Sequence, residues 1–292
     1  MLSLALPKGS LERLTLELFE DADLSVRRSS VREYAATIDD PRVGSVAIIR
    51  PQEIPRFVGD GHFDLGICGQ DWVAETGADV VEVAQLPVAK LTAQPARIVL
   101  AMSVESGVER ADQIPDGVRV TTEYEELARR YFEERGISAR IMRSYGSNEA
   151  KVAATIVDAL IHNVETGETL RRNGLRIVDT LMESWTVLVA NRTTYDDDAK
   201  RLAIEQLRML LDGAISARGR VLVKLNVGEA DLDRVLEILP SMKAPTVSQL
   251  AGGHALAVEA VVEKNTINTL IPELKGRGAS DIIELPLSKI IP

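Results

Sequence analysis

The sequence predicts an α/β fold made of two lobes of mainly parallel sheet and a smaller C-terminal domain. Short apolar runs alternate with helical patterns through residues 1–92, and the same alternation starts again at residue 93. From residue 219 the predicted order changes to βαββαβ, the split-βαβ arrangement of small ferredoxin-like modules. Strand–helix alternation implies a parallel sheet covered by helices. Because the pattern restarts at residue 93 and changes at residue 219, three units are expected in these 292 residues.

Composition restricts the class of function. Hydrophobic residues make up 45% of the chain and charged residues 27%, values that are ordinary for a globular protein. The formal net charge of −10 repels polyanions at long range, so no nucleic-acid role is expected. An anionic small substrate would have to be bound by local features such as a few cationic side chains, a backbone nest or Mg²⁺.

Cysteine, histidine and hydropathy exclude further classes. The single cysteine, Cys68, lies in an apolar run and is expected to be a buried, inert thiol. None of the three histidines stands at metal-ligand spacing with it, so a structural zinc site is not expected. The N-terminal apolar stretch is too short for a signal peptide, and no apolar run approaches 18 residues. We therefore expect a cytoplasmic protein without a membrane partner.

The first lobe is predicted to comprise residues 1–92 together with 180–212. Its predicted strands are 2–6, 45–50, 63–68 and 185–190, and its predicted helices begin near residues 11, 51 and 72. Ser10 is a plausible N-cap of the first helix. Ile204, Leu207, Leu211 and Ile215 trace one face of a helix that leads to the C-terminal domain.

The second lobe is predicted at residues 93–179. Its predicted strands are 96–102, 117–122, 137–142 and 156–160, with a helix at 124–135, and a strand at 176–181 could return to the first lobe. The turns 7–10, 69–71, 145–149 and 165–169 all follow predicted strands. Because ligands in open α/β sheets bind beyond the carboxyl ends of the strands, these turns should line a shared cleft.

The turn at 165–169 carries the most specific signal. Its sequence, Glu-Thr-Gly-Glu-Thr, feeds a predicted helix and offers free backbone N–H groups, two hydroxyls and the positive end of a helix dipole. Those are the parts of a phosphate site. Many Thr-Gly turns only cap helices, however, and the turn taken alone favours that reading. The rest of the chain is what favours a phosphate site.

The C-terminal domain is predicted at residues 217–292. Its predicted strands are 221–227, 246–250, 255–262 and 281–285, and its predicted helices are 231–239 and 266–275. Pro272 falls inside the second helix, where we expect a kink.

Five motifs carry a resemblance to a known family. They are Leu6-Pro-Lys-Gly9; Arg50-Pro-x-x-Ile54-Pro55 with Phe63-Asp-Leu-Gly-Ile-x-Gly-x-Asp71; Gly146-Ser-x-Glu149; Asp158-Ala through Glu165-Thr-Gly-x-Thr-Leu170 and Asn173-Gly-Leu175; and Ala244-Pro-Thr-Val247 near Leu250-Ala251. In this order along nearly the whole chain, they resemble the ATP phosphoribosyltransferases of histidine biosynthesis in their long form. Several medium-strength motifs in the right order are much more specific than any one of them.

The resemblance implies a fold and a reaction. The fold is two periplasmic-binding-protein-like lobes plus a regulatory domain. The reaction transfers 5-phosphoribosyl from phosphoribosyl pyrophosphate to N1 of the ATP adenine and releases pyrophosphate, with Mg²⁺ as the cofactor. It also implies a homo-oligomer, from dimer to hexamer, and inhibition by histidine.

The resemblance also assigns roles to residues. Asp158, His162, Glu165, Thr166, Gly167, Glu168 and Thr169 are expected at the phosphoribosyl pyrophosphate site; Lys8, Gly9, Gly69 and Asp71 at the ATP site; and Lys8, Arg50 and Glu149 in catalysis. Asp71 or Glu149 could hold Mg²⁺, although each could equally cap the helix that follows its turn. Thr246 and Ala251 are placed near the effector pocket. Asp158 could instead be a structural ion-pair partner, and Lys151 could pair with Glu149 or meet phosphate.

Two positions depart from the family pattern. The family usually has a carboxylate where this chain has His162, which accepts one hydrogen bond where a carboxylate accepts several. Glu168 stands where the family usually has a small residue, so it and Glu165 place two carboxylates beside an intended phosphate. A catalytically weakened paralogue that serves as a regulatory subunit is therefore one alternative. A non-enzymatic two-lobed binding protein and a purely oligomerising C-terminal domain are others.

Overall fold

A computed structural model of the chain describes residues 1–30, 33–87, 94–144, 146–240, 242, 244–253 and 255–291. These residues form two compact units. The first unit comprises Met1–Glu20 and Leu24–Arg208, and the second comprises Asp21–Asp23 and Met209–Pro292. The expected boundary between residues 92 and 93, and Tyr145 at the start of one expected turn, lie outside the described residues.

The first unit contains two sheets, one for each lobe. The strands of the first sheet are β1 (Leu2–Pro7), β2 (Val26–Arg27), β3 (Ala35–Ile38), β4 (Val43–Ile49), β5 (Leu65–Gly69), β6 (Val80–Gln85) and β12 (Thr186–Asn191), in the order β2-β3-β4-β1-β5-β12-β6. β1 pairs in parallel with β4 and β5, so the carboxyl ends of these three strands lie at one edge of the sheet. β12 is antiparallel to both β5 and β6.

The second sheet has one antiparallel side and one parallel side. Its strands are β7 (Ala96–Ser103), β8 (Val118–Thr122), β9 (Ala139–Arg143), β10 (Ala159–Val164) and β11 (Leu175–Ser184), in the order β11-β7-β10-β8-β9. β8 pairs in parallel with β9 and β10, whereas β7 is antiparallel to β10 and β11. The carboxyl ends of β8, β9 and β10 therefore share an edge.

Eight helices accompany these sheets in the described residues. They are α1 (Glu12–Asp21), α2 (Ile54–Gly59), α3 (Gln70–Thr76), α4 (Glu125–Glu134), α5 (Asn148–Ala153), α6 (Glu168–Arg172), α7 (Arg192–Asp196) and α8 (Asp198–Ala217), the last of which continues into the second unit. Alternation along β10 gives the second sheet two apolar faces. Ile161 packs in the cluster of α4 residues such as Phe132, and Leu160 packs in the cluster of Leu170 in α6.

The second unit has the predicted βαββαβ order. Its elements are β13 (Arg220–Gly228), α9 (Leu232–Leu236), β14 (Thr246–Gln249), β15 (Ala255–Glu263), α10 (Ile267–Gly276) and β16 (Ala279–Pro286). The sheet order is β14-β15-β13-β16, and every neighbouring pair is antiparallel. Alternate residues of β13, from Val221 to Val227, pack against the helices, which explains the period-2 pattern of this strand. Pro272 lies inside α10, and the kink expected there stays a prediction.

The structure corrects three predictions of secondary structure and adds three strands that were not predicted. The strand expected at 156–160 begins only at Ala159, because residues 154–157 form a turn in which Thr155 has a positive φ and Ile156 is 57% exposed. The strand expected to return at 176–181 pairs with β7 as β11, so the chain returns to the first sheet only with β12. Ser10 lies within a 3-10 turn and caps nothing. The short strands β2 and β3 and the half-exposed edge strand β6 were not predicted.

A polar cluster ties β1 and β5 to α8 at the amino end of β5. Asp64 accepts hydrogen bonds from the backbone and hydroxyl of Ser3, from the Thr194 hydroxyl and from the Lys200 ammonium, all at 2.8–2.9 Å. Burial raises the pKa of Asp64, but these donors outweigh it and lower the pKa to about 2. Each oxygen of this carboxylate is therefore occupied, and we interpret the cluster as structural.

Two expectations about the whole chain bear on the fold. Cys68 is fully buried in β5, and burial raises the pKa of its thiol well above the usual value, as expected for an inert cysteine. Within the described ranges, none of the helices is both long enough and apolar enough to cross a membrane.

Candidate active site between the two lobes

Two cations stand at the carboxyl edge of the first sheet. Pro7 of β1 is level with Ile49 of β4, and the Lys8 backbone N–H donates to the Ile49 carbonyl at 2.7 Å. Lys8 and Arg50 therefore follow the ends of adjacent strands. Neither side chain forms an ion pair with any residue that the structure describes. The Lys8 ammonium instead lies 4.2 Å from the centroid of the Tyr34 ring.

Gly9 stands directly after Lys8. Its backbone N–H donates to Glu12 at 3.3 Å, and Glu12 also pairs with Arg28 at 2.5 Å. The amide expected to meet ATP is thus held, weakly and at an exposed position, by the carboxylate that begins α1.

Asp71 has both carboxylate oxygens occupied. The residue is 2% exposed, and its oxygens accept from the Tyr124 hydroxyl at 2.6 Å and from the Ser184 hydroxyl at 2.7 Å. Ser184 in turn accepts from the Asp71 backbone N–H at 3.0 Å. A Cβ on Gly69 would stand 1.9 Å from an Asp71 oxygen, so glycine is required there by this side chain. Burial together with a protein donor on each oxygen favours a structural role for Asp71 over contact with Mg²⁺ or ATP.

The Asp71 hydrogen bond belongs to a junction between the lobes. Trp72 of α3 stacks on Tyr124 with ring centroids 4.5 Å apart. Glu75, also in α3, accepts the Glu126 and Leu127 backbone N–H groups at 3.0 and 2.9 Å and so caps the start of α4. Burial raises the pKa of Glu75 and raises the pKa of Tyr124 well above its usual value.

This junction brings two strand ends together. Asp71 follows the end of β5 in the first sheet, and Tyr124 follows the end of β8 in the second. The 2.6 Å bond between them therefore joins the carboxyl edges of the two sheets. Lys8 and Arg50 follow strands that end at one of these edges, and the 165–169 turn follows a strand that ends at the other. That these turns line a shared cleft stays a prediction.

The 165–169 turn has unpaired donors. Gly167 has φ +73° and begins the short helix α6, and a Cβ there would stand 3.0 Å from Ile177. The Thr166 hydroxyl accepts the Glu168 backbone N–H at 3.3 Å. The backbone N–H groups of Thr166, Gly167 and Thr169 donate to no acceptor in the part of the chain that the structure covers. A turn with several free backbone donors and exposed threonines at positions 166 and 169 is suited to an anion.

The two carboxylates of this turn differ in their surroundings. Glu168 pairs with Arg172 one turn along α6 at 2.5 Å, so its charge is partly balanced and directed along the helix. Glu165 is exposed. Of the two carboxylates expected to repel a phosphate at this turn, only Glu165 therefore lacks, among the residues that the structure describes, a cationic neighbour that balances its charge.

Glu149 lies in the first turn of α5, which follows β9. It is half-buried, and its carboxylate has no hydrogen-bond or ion-pair partner among the described residues. Lys151 does not pair with it, because the Lys151 ammonium donates to the Ser144 hydroxyl at 2.6 Å and to the Gly146 carbonyl at 3.1 Å. Lys151 therefore holds the turn from which Glu149 projects.

Asp158 lies at the other end of the second sheet. It precedes β10, pairs with Arg119 at 2.6 Å and accepts the Arg119 backbone N–H at 2.8 Å. The Arg119 guanidinium lowers the pKa of Asp158. Six residues of β10 separate it from the 165–169 turn, a rise of about 20 Å. Of the two readings of Asp158, this geometry fits the structural partner and not the ligand contact.

His162 lies within β10, opposite Val99 of β7. It is half-buried and precedes the 165–169 turn by three residues, on the face that Leu160 and Val164 share. Its place along the strand is compatible with contact to a ligand held by that turn.

No preformed metal centre is found in the described ranges, where no three His, Cys, Asp or Glu side chains converge. Mg²⁺ typically uses one or two carboxylates together with substrate phosphates, so a single free carboxylate such as Glu149 is compatible with it.

The expected effector residues lie in the second unit. Thr246 begins the edge strand β14, opposite Glu259 of β15, and Ala251 lies in the turn between these strands. Both are exposed.

Sequence reasoning missed three residues that contact the predicted site residues. Tyr34 precedes an unpredicted strand, while Tyr124 and Ser184 contact Asp71 from sequence separations of 53 and 113 residues. An aromatic residue in the polar stretch near residue 34 was the one available signal, and it was weak.

Comparisons with known proteins agree with this architecture. The family model described as HisG, ATP phosphoribosyltransferase, matches residues 50–213, and the model for the HisG C-terminal domain matches residues 217–289. The ATP phosphoribosyltransferase of Pelotomaculum thermopropionicum is 44% identical over 100% of this chain and 99% of its own length. That of Trichlorobacter lovleyi is 41% identical over the same shares of the two chains.

Solved structures give the same result. The ATP phosphoribosyl transferase (HisG:HisZ) complex from Thermotoga maritima has a TM-score of 0.61 and 27% identity over 72% of this chain and 98% of its own. XAC2383 from Xanthomonas citri has a TM-score of 0.51 at 12% identity over 74% of this chain and 84% of its own, a likeness of fold alone. The family models and the curated relatives favour an enzyme over a non-enzymatic binding protein. The chain belongs to the ATP phosphoribosyltransferase family, the pentosyltransferases of histidine biosynthesis.

Proposed function

We propose that this chain transfers the 5-phosphoribosyl group from phosphoribosyl pyrophosphate to N1 of the ATP adenine and releases pyrophosphate. The observation that carries the proposal is the Asp71–Tyr124 bond, which joins the carboxyl edges of the two sheets. A substrate with phosphates at both ends needs donors on both sides of a cleft, and each edge here supplies some.

The 5-phosphate would be held by the 165–169 turn. The free N–H groups of Thr166, Gly167 and Thr169 and the two threonine hydroxyls can donate to three phosphate oxygens. The Glu168–Arg172 pair keeps one carboxylate of the turn from repelling that phosphate. His162 would then stand near the ribose, where it can accept one hydroxyl hydrogen bond.

The pyrophosphate end would meet Lys8 and Arg50. As the ribose C1–O bond breaks and the bond from C1 to adenine N1 forms, positive charge develops on the ribose and negative charge on the leaving pyrophosphate. Cations without carboxylate partners can stabilise that leaving group fully, and such preorganised electrostatics is the main contribution available to the protein here.

Glu149 is the carboxylate that we assign to Mg²⁺ or to the ribose hydroxyls, because it has no protein partner in the described residues. Bound Mg²⁺ would supply further charge neutralisation on the pyrophosphate. We assign Asp71 and Asp158 to structure, since hydroxyls occupy the first and Arg119 the second. Gly69 leaves the space that the Asp71 carboxylate occupies. The Gly9 backbone N–H, which donates to Glu12 in this structure, would donate to an ATP phosphate when ATP is bound.

The second unit would act as a regulatory domain of a homo-oligomer that binds histidine. Thr246 and Ala251 remain our positions for that effector. Both lie at the β14–β15 hairpin, where an exposed edge strand leaves backbone groups free for a ligand or a neighbouring copy.

The test is pyrophosphate release by the purified full chain with ATP, phosphoribosyl pyrophosphate and Mg²⁺, with and without histidine. We expect release that requires both substrates and that histidine suppresses. If histidine does not change the release, the transferase proposal stands and the second unit is an oligomerisation domain. No release from folded protein would favour the weakened paralogue.

A further inference from the structure

We infer that Tyr34 is a positioning residue that holds the Lys8 ammonium at the end of β4, where it meets the polyphosphate of a bound substrate. The inference rests on the proposed function and assigns a role to a residue outside the motifs that led to it. It starts from the contact between the Lys8 ammonium and the face of the Tyr34 ring, 4.2 Å from the centroid.

The backbone places these two residues on opposite sides of the same strand end. Lys8 donates its N–H to the Ile49 carbonyl at 2.7 Å, and the Ile48 N–H donates to the Tyr34 carbonyl at 2.7 Å. β4 lies between β1 and β3 in the sheet, so the Lys8 side chain must cross the end of β4 to reach the ring. Arg50 is the next residue along that strand. The contact therefore holds the ammonium at the strand end that Arg50 follows.

Tyr34 is unlike the other tyrosines that the structure describes. Its exposed fraction is 59%, whereas Tyr124 and Tyr131 are buried and donate their hydroxyls to carboxylates. In the described part of the chain, the Tyr34 hydroxyl has no hydrogen-bond partner. Neither core packing nor a hydrogen bond therefore explains an aromatic residue at this position. The contact that the ring does make is with the Lys8 ammonium.

An aromatic ring suits this task better than a carboxylate would. The ring quadrupole attracts an ammonium and restricts its position, yet it leaves the positive charge in place. A carboxylate would balance the charge and compete with phosphate, as Glu12 does for Arg28 a short distance along the chain. With Tyr34 as its neighbour, Lys8 keeps its charge for an incoming polyphosphate.

The experiment measures binding of inorganic pyrophosphate with Mg²⁺, by calorimetry on the full chain, and kcat/KM for the phosphoribosyl donor. The variants are Tyr34→Leu, Tyr34→Phe, Lys8→Met and the double variant Lys8→Met/Tyr34→Leu. We expect Tyr34→Leu to weaken binding by about two- to fivefold and to lower kcat/KM similarly, the range for a cation–π contact at an exposed site. Tyr34→Phe should retain wild-type values because it keeps the ring. Melting temperatures should not change, since the ring is exposed.

The double variant separates the inference from the proposed function. If Tyr34 acts through Lys8, adding Tyr34→Leu to Lys8→Met should change nothing further. An unaltered Tyr34→Leu, or a loss that persists without Lys8, would overturn the inference while the transferase stands. If Lys8→Met itself binds pyrophosphate normally, both the inference and the proposed role of Lys8 are wrong.

Discussion

Tyr124→Phe should destabilise the first unit by about 2–3 kcal/mol, because it removes a donor from a buried carboxylate. Asp71 is 2% exposed and Tyr124 is 3% exposed, so water cannot replace the lost hydroxyl. A hydrogen bond to a charged group contributes about 1.5–3 kcal/mol, and leaving a buried acceptor unpaired brings the cost to the upper part of that range. Ser184 still donates to the other carboxylate oxygen in the variant, so the loss of stability should not exceed about 3 kcal/mol.

The assay is urea unfolding followed by tryptophan fluorescence. Both tryptophans of the chain, Trp72 and Trp185, lie in the first unit, so the signal reports on that unit. With an m-value of about 2–3 kcal/mol/M, the expected loss shifts the midpoint by about 1 M urea. The slope should not change, since no more surface is exposed on unfolding.

Tyr131→Phe is the matched control. The Tyr131 hydroxyl donates to Asp179 at 2.8 Å, but that side chain is 28% exposed and also contacts Arg135 at 3.3 Å. Water and the guanidinium can replace the hydroxyl, so a loss of about 0.5–1.5 kcal/mol is expected. Equal losses in the two variants would refute the reasoning, since burial of the Asp71 carboxylate would then make no difference.

Four further predictions follow from the site and the first lobe. Asp64→Asn should cost about 2 kcal/mol at pH 7; because the folded pKa of about 2 lies below the usual 3.8, this difference should shrink as the pH of the unfolding experiment falls from about 5 towards 2. Gly69→Ala should lower the melting temperature strongly or abolish soluble expression, whereas Gly228→Ala, where a Cβ meets open space, should leave it unchanged; a harmless Gly69→Ala would contradict the close approach of the carboxylate. Thr169→Val should raise the KM for the phosphoribosyl donor by about three- to tenfold through loss of one phosphate hydrogen bond, and an unchanged KM would remove the turn from the site. His162→Asp should preserve or increase kcat/KM for the donor, and a complete loss would mean that the imidazole has a role of its own.

The elements with a clear period were predictable from sequence. β13 and β15 alternate apolar and polar residues, and α4 carries one apolar face bounded by Gly136, so each was placed within a residue or two. β10 was misplaced because Ile156 looks like part of an apolar run, although a turn exposes it. β2, β3 and β6 were missed because short or half-exposed strands leave little pattern to detect.

The candidate site divides in the same way. The 165–169 turn, Lys8 and Arg50 could be named from sequence because each follows an apolar strand. The part played by Asp71 could not, since its two donors come from Tyr124 and Ser184. Glu168 looked unfavourable beside a phosphate until its partner, one helical turn away, was known to be Arg172.

The sequence by itself determined the order of the elements, the fold class and the turns that follow the strands, because hydrophobic periodicity and turn residues act over a few positions. Only the tertiary structure decided what each polar side chain does. Asp71 joins the lobes, Asp158 binds Arg119, and Lys8 rests on Tyr34. Partners of buried or charged groups come from distant segments, and their identity depends on sheet order and register, which local patterns along the chain do not specify.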